Sequence, residues 1–499
     1  MNMPVNRKLI RLAITMTISL WLFQPSFAVR YDQGDWVGFT MFKYITSIAA
    51  DQSIVYFGTT GGIIRYDRFT QTWLDPLTTA GGMPSNYVRE LAYDFQYNEL
   101  WAVTDQGVAK YNITFESWYS ESDFPENMVI NDWHKSRFAS LFTPFRYNYS
   151  DGYISDPNMR QFPITVGYQG EHDLMYVGTW GMGPGIIDTR HLQFESIVYG
   201  PYNFNISKVI EIGDRLWMGT DYTQGEQGIT SYDLGTHQWS YFEEEYIIGL
   251  DNAEITAGVN SGDYIWLGTR DGLLRMDNSG SFNTLRTTRG LPSTTILSLA
   301  EYGGLLYIGT DDGLAILHSS GDVPDSTFKM PLEDQYLLRN FRVNDLLAFK
   351  GTLYIATDDG VFSYNSDKAQ FRKLDTPAAD LSWGATDIAA DDRIVYFGAR
   401  FGVVTIDTEV DTFSVATDHH LSDGWTINQV YADHQYIWAA TNIGLWKYRM
   451  SDGYTYLYTT ADGLPTDVVN SLVIDSDYFW LGTNQGLIHF LWNKPGRGD

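Results

Sequence analysis

Short runs of alternating apolar and polar residues recur along the chain, separated by Gly, Asp, Asn and Pro. Run length and period predict β-strands joined by tight turns. One string recurs ten times: aromatic, apolar, small, Thr. It reads Tyr56-Phe57-Gly58-Thr59, Trp101-Ala102-Val103-Thr104, Tyr176-Val177-Gly178-Thr179, Trp217-Met218-Gly219-Thr220 and Trp266-Leu267-Gly268-Thr269. It continues as Tyr307-Ile308-Gly309-Thr310, Tyr354-Ile355-Ala356-Thr357, Tyr396-Phe397-Gly398-Ala399, Trp438-Ala439-Ala440-Thr441 and Trp480-Leu481-Gly482-Thr483. Successive fourth positions lie 45, 75, 41, 49, 41, 47, 42, 42 and 42 residues apart. A unit of about 42 residues matches a four-stranded propeller blade, so the fold is expected to be an all-β propeller of about ten blades.

Each unit reads as four short strands; in the ninth these are 427–432, 436–441, 444–448 and 454–458. Eight units carry Gly three residues after the fourth position, as in Thr310-Asp311-Asp312-Gly313, where a tight hairpin needs positive φ. The aromatic on the second strand fills the gap that widens between blades with radius. The small residue two positions on lies on the same strand face and lets the neighbouring sheet approach. The tenth unit supplies only three strands, and an orphan at 36–40 precedes the first inner strand. That orphan is expected to complete the tenth blade and remove a free sheet edge. One closed ring of ten blades is the expected arrangement, with two five-bladed rings as the alternative.

These units resemble the two-component regulator propeller repeat, whose pattern runs approximately lWiGT-x-x-Gl-x-r-y-d. The stretches 480–487 and 56–67 carry the likeness most closely, and it spans nearly all of 36–491. The resemblance implies a propeller. It leaves function open, because members include periplasmic sensor regions of hybrid histidine kinases, some like glycan sensors, and secreted or envelope proteins. This chain shows no kinase, internal membrane span or immunoglobulin-like module.

The first 28 residues read as a secretory signal peptide. Arg7, Lys8 and Arg11 precede the apolar run 12–23, then Pro25 and Ser26-Phe27-Ala28 supply a break and a cleavage site. The mature chain, 29–499, is expected in the periplasm or medium of a bacterium. Formal charge is −28, and −31 from Val29 on once those three cations are removed, which disfavours a nucleic-acid partner. The absence of Cys excludes disulfides and thiolate chemistry.

The 75-residue step carries an inserted arm at about 122–162, rich in aromatics and holding Lys135, Arg137, Arg146 and Arg160. The arm is expected either to dock a ligand or partner or to pack on neighbouring blades. Candidate binding residues are Trp133, Arg137, Arg146 and Trp180, with the hairpin-tip residues Arg270, Asp311, Asp312, Asp358, Asp359 and Arg400. Closely spaced acids at such tips suit Ca²⁺, but Asp is also what turns demand, and no calcium-loop motif is present. No cofactor, metal site or catalytic residue is therefore assigned. The expected function is a non-catalytic ligand- or protein-binding or scaffold propeller of the bacterial envelope, with a glycan or a protein at the loop face. The alternative is an envelope enzyme, either carbohydrate-active (through acids such as Glu243-Glu244-Glu245) or quinoprotein-like, on the hint of Asp67-x-x-Thr70-x-x-Trp73 and Asp233-x-x-Thr236-x-x-Trp239.

Overall fold

The computed structural model describes residues 34–134, 147–221, 227–286, 291–318, 338, 340–368, 370–374, 384–399, 402–410, 412–415 and 425–494. The signal-peptide reading of 1–28 lies outside them. Ten antiparallel sheets follow one another along the chain, numbered here as blades one to ten by their signature strings. Blade one comprises Ile45–Ala50, Ile54–Thr59, Ile63–Asp67 and Thr72–Leu77.

The recurring Thr has a local task. The Thr59 hydroxyl donates to the Gly62 carbonyl at 2.8 Å and accepts the Gly61 N–H at 2.9 Å, which pins the hairpin. The same hydroxyl-to-carbonyl bond recurs from Thr104, Thr269, Thr310, Thr357, Thr441 and Thr483. Gly62 sits at φ 140, a region that residues with a Cβ rarely adopt.

Blade order follows from which inner strand meets which. The second residue of an inner strand repeatedly bonds the first carbonyl of the next blade's inner strand. Asn344 Nδ2 donates to Ala385 O at 2.9 Å, Asn428 Nδ2 to Val469 O at 2.8 Å and Thr256 Oγ1 to Ile296 O at 2.7 Å. Asn470 of blade ten then donates to Ile206 O of blade four at 2.8 Å. A Cβ on Gly482 of blade ten would lie 3.0 Å from Ile206 Cγ2, and the Trp480 ring is 5.4 Å from that of Tyr232. Blades four to ten therefore close a ring of seven.

Blades one to three form a separate sector in the order three, one, two. Thr165 Oγ1 of blade three donates to Ile45 O of blade one at 2.9 Å, and Thr46 Oγ1 of blade one to Val88 O of blade two at 2.8 Å. The expected single ring of ten is thus corrected, and so is the five-plus-five alternative. Repeat spacing is a local property, whereas the grouping is decided by which sheet faces fit. The break falls after blade three, at Tyr199-Gly200-Pro201-Tyr202.

The orphan strand behaves as expected. Trp36–Phe39 pairs antiparallel with Gly486–Leu491, Trp36 opposite Phe490 and Phe39 opposite Leu487. The Trp36 and Phe490 rings stack at 3.6 Å. The chain then crosses from ring to sector, and a shared aromatic core joins the two. Phe39 lies 5.4 Å from Trp239 and 6.0 Å from Trp480, while Tyr199 lies 4.8 Å from Trp73.

Candidate functional site

The inner strands of blades four to ten line a polar channel of about 1140 Å³. At its mouth stand Asn205, Asp221, Asn252, Glu254, Arg270, Arg342 and Asn484. These come from the segments just ahead of inner strands and from tips of second-to-third-strand hairpins, which the blade topology collects at one end. Arg270 Nε donates to Glu254 Oε2 at 2.7 Å, and Asn205 Nδ2 to Asp221 Oδ2 at 3.2 Å. Arg342 Nε donates to Asn344 Oδ1 at 3.0 Å, and no ion pair of Arg342 occurs among the described residues. Ser207 Oγ and Asn484 Oδ1 are buried atoms with no hydrogen-bond partner among the described residues, and both residues line the channel.

Deeper in, third positions of the inner strands lace the blades together. Asp345 Oδ2 accepts the Ile388 N–H at 2.8 Å, Asp387 Oδ2 accepts Val430 N–H at 2.8 Å, and Gln429 Oε1 accepts Leu472 N–H at 3.2 Å. Ser471 Oγ accepts Val209 N–H at 2.9 Å. Blade four breaks this pattern with Lys208, whose Nζ lies 3.9 Å from Asp387 Oδ1. Blades four and eight stand on opposite sides of a seven-membered ring, so this pair forms a bar across the channel. Burial, and then the neighbouring Asp345 carboxylate, raise the Asp387 pKa above the usual carboxylate range. Burial raises Asp345 too, against the opposing influence of Lys208. Gln429 and Ser471 do the same backbone-accepting work without a charge, so these acids read as inter-blade ties.

The residues singled out from sequence are not gathered into one site. Arg270 stands at the channel mouth. Trp133 is buried on blade three, its ring edge-on to Tyr149 at 5.9 Å. There Asp132 N–H donates to Gly167 O at 2.8 Å and Asp132 Oδ2 accepts Gln169 N–H at 2.8 Å. The described part of the arm therefore packs: it covers the blade-three face that a preceding blade would occupy, and its hairpin, 148–155, extends that sheet. Arg137, Arg146 and Arg400 lie outside the described residues. Trp180 is 43% exposed, its ring 5.1 Å from Tyr44. Asp311 and Asp312 are exposed turn residues. Asp358 Oδ1 accepts the Arg342 N–H at 3.2 Å, and Asp359 pairs with Lys373 at 3.2 Å.

The enzyme hints meet structural duties. Arg160 donates to Glu243 Oε1 at 3.0 Å, tying the arm to blade four. Asp67 Oδ1 caps its own turn through Phe69 and Thr70 N–H, and Asp233 Oδ1 does so through Gly235 and Thr236. Among the described residues no three His, Asp or Glu side chains converge as a metal would need. Apart from Arg270, nothing in the sequence marked the channel residues, because single Asn and Arg residues ahead of strands gain meaning only when seven blades converge.

No protein-family model matches the sequence, and no curated protein matches it. Among solved structures the chain is similar to the extracellular domain of the hybrid two-component system BT4673 from B. thetaiotaomicron, at 13% identity and TM-score 0.49, over 91% of this chain and 70% of that one. It is also similar to PorZ, a surface component of the type-IX secretion system of Porphyromonas gingivalis, at 14% identity and TM-score 0.49, over 90% and 68%. BamB from Moraxella catarrhalis matches at 13% identity and TM-score 0.39, over 66% and 98%. The propeller assignment rests on the chain's own ten sheets. No helix among the described residues is long and apolar enough to cross a membrane.

Proposed function

We infer that this chain is an exported, non-catalytic binding or scaffold propeller of the bacterial envelope, and that its ligand seat is the mouth of the seven-bladed channel. The observation that supports this reading is the polar lining of that mouth, where Asn205, Asp221, Asn252, Arg342 and Asn484 stand around the Arg270–Glu254 pair. Amides and a fixed guanidinium–carboxylate pair suit the hydroxyls of a glycan end or the backbone of an inserted protein loop. Among the described residues no aromatic side chain lines the channel. Export follows the signal-peptide reading.

Calorimetric titration of residues 29–499 with an oligosaccharide panel tests the proposal. A glycan that binds should lose about tenfold in affinity on Arg342→Ala or Asn484→Ala, with an unchanged melting temperature. Binding indifferent to both substitutions would move the seat elsewhere. Product formation that one carboxylate substitution abolishes would replace the binding role with an enzymatic one.

A further inference from the structure

The four most exposed aromatic side chains among the described residues are Phe69 at 75%, Phe115 at 73%, Phe95 at 68% and Tyr97 at 64%. All four sit in turns of blades one and two: Phe69 between that blade's third and fourth strands, Phe95 and Tyr97 between the first and second of blade two, Phe115 between its third and fourth. In a four-stranded antiparallel blade these turns share one end. The two turns of blade two are joined by Ile113 N–H to Asn98 O at 3.5 Å. Blades one and two are adjacent through Tyr56 and Tyr93, whose rings stack at 5.9 Å.

Each turn holds its ring outward. Asp67 accepts Phe69 N–H at 2.8 Å, Asp94 accepts Gln96 and Tyr97 N–H at 2.8 and 3.2 Å, and Asn112 accepts Thr114 and Phe115 N–H at 3.0 Å. The acids are thus folded back under the turns, and Arg68 donates inward to Asp51 O at 2.6 Å. The other positions of these turns include Thr70, Gln71, Gln96, Thr114 and the exposed Glu116, so Glu116 is the one acid of these three turns that caps no backbone N–H among the described residues.

We propose that this end of blades one and two is a membrane-contact surface, whose four rings enter the interfacial layer of a lipid bilayer. Aromatic side chains favour that layer, and a row of separate protruding tips suits a deformable one. A second copy of the chain fits less well. Four such rings expose on the order of 550 Å², below the about 800 Å² a partner contributes to a stable interface. Convex tips would also meet one another with voids between them.

Flotation of residues 29–499 with phosphatidylcholine vesicles, and separately with phosphatidylethanolamine–phosphatidylglycerol vesicles, tests this. Binding to both is expected, and it should persist at about 0.5 M salt because the contact is apolar. The combined Phe69→Ser, Phe95→Ser, Tyr97→Ser, Phe115→Ser variant should bind about tenfold less or weaker, with its melting temperature unchanged. Failure of the wild type to float, its release by salt, or equal flotation of the variant would overturn the proposal. A dimer seen by light scattering that the variant abolishes, without vesicle binding, would assign the surface to a second copy instead.

Discussion

Trp101 and Trp438 occupy the same place in their blades, and their surroundings separate them. Trp438 is fully buried, 4.8 Å from the Phe479 ring of the following blade. The signature aromatics of the other eight blades are buried as well, whereas Trp101 is half-buried, because no blade follows blade two. Lys110 lies over its ring at 5.3 Å and pairs with Glu99 at 3.3 Å and Glu121 at 3.1 Å, a charged covering suited to a terminal repeat. Trp438→Ala should cost ~3–5 kcal/mol and Trp101→Ala about half that or less; denaturant melts of the two variants make the comparison, and equal losses would show that blade two's outer face is filled. The aromatic itself was legible in the sequence, since period two puts it on a fixed face. The exception at Trp101 was not, because the residue is the same and only its neighbour is missing. A second expectation concerns Asp387. Its raised pKa means the folded chain keeps a proton that the unfolded chain has released. Stability should therefore fall as pH rises from the ordinary carboxylate range towards neutrality. Asp387→Asn should flatten that part of the fall in melting temperature; an identical slope in the variant would show that the acid is solvated and ordinary.

At the scale of elements, the strands, the hairpin Gly and the orphan strand were all readable, because each depends on near neighbours in sequence or on a repeat with one member missing. The N-terminal strand carries more than an edge. Trp36 stacks on Phe490, Gly463 lies against its ring, and Asp35 pairs with Lys494 at 3.0 Å. Deleting residues 29–41 should lower the melting temperature and bring on aggregation, since the edge at Gly486–Leu491 would stand unpaired. Differential scanning with light scattering reads both; an unchanged melt in clear solution would refute the strand's role. The insertion was legible as an insertion, with packing on neighbouring blades as one of its two expected tasks. Its aromatics suit either task, and the Trp133–Tyr149 contact and the Asp132 bonds to blade three show packing for the described part.

The division into three and seven blades belongs to the whole molecule and has an energetic consequence. A closed ring of seven has as many inter-blade interfaces as blades, whereas an open sector of three has two. If each interface contributes comparably, as in other repeat arrays, the sector is the weaker body. It is held by the core where Phe39, Phe42, Trp73, Tyr199, Trp239 and Trp480 meet. Tyr199 is the centre of that contact: it lies 5.7 Å from Phe42, 4.8 Å from Trp73 and 6.3 Å from Trp239, and its hydroxyl donates to Leu74 O at 3.0 Å. Sector and ring should accordingly unfold in one calorimetric transition. Tyr199→Ala removes the ring that touches both bodies and orphans the Leu74 carbonyl, a change expected to cost ~3–5 kcal/mol at that contact. The single transition should then split, with a smaller, earlier one for blades one to three and a later one near the wild-type temperature for blades four to ten. Hydrogen exchange followed by mass spectrometry assigns the two, with early loss of protection expected in Ile45–Ala50 and Val88–Asp94 and late loss in Ile427–Ala432. Two transitions already present in the wild type, or one undivided transition in the variant, would show that the aromatic core does not couple the two bodies.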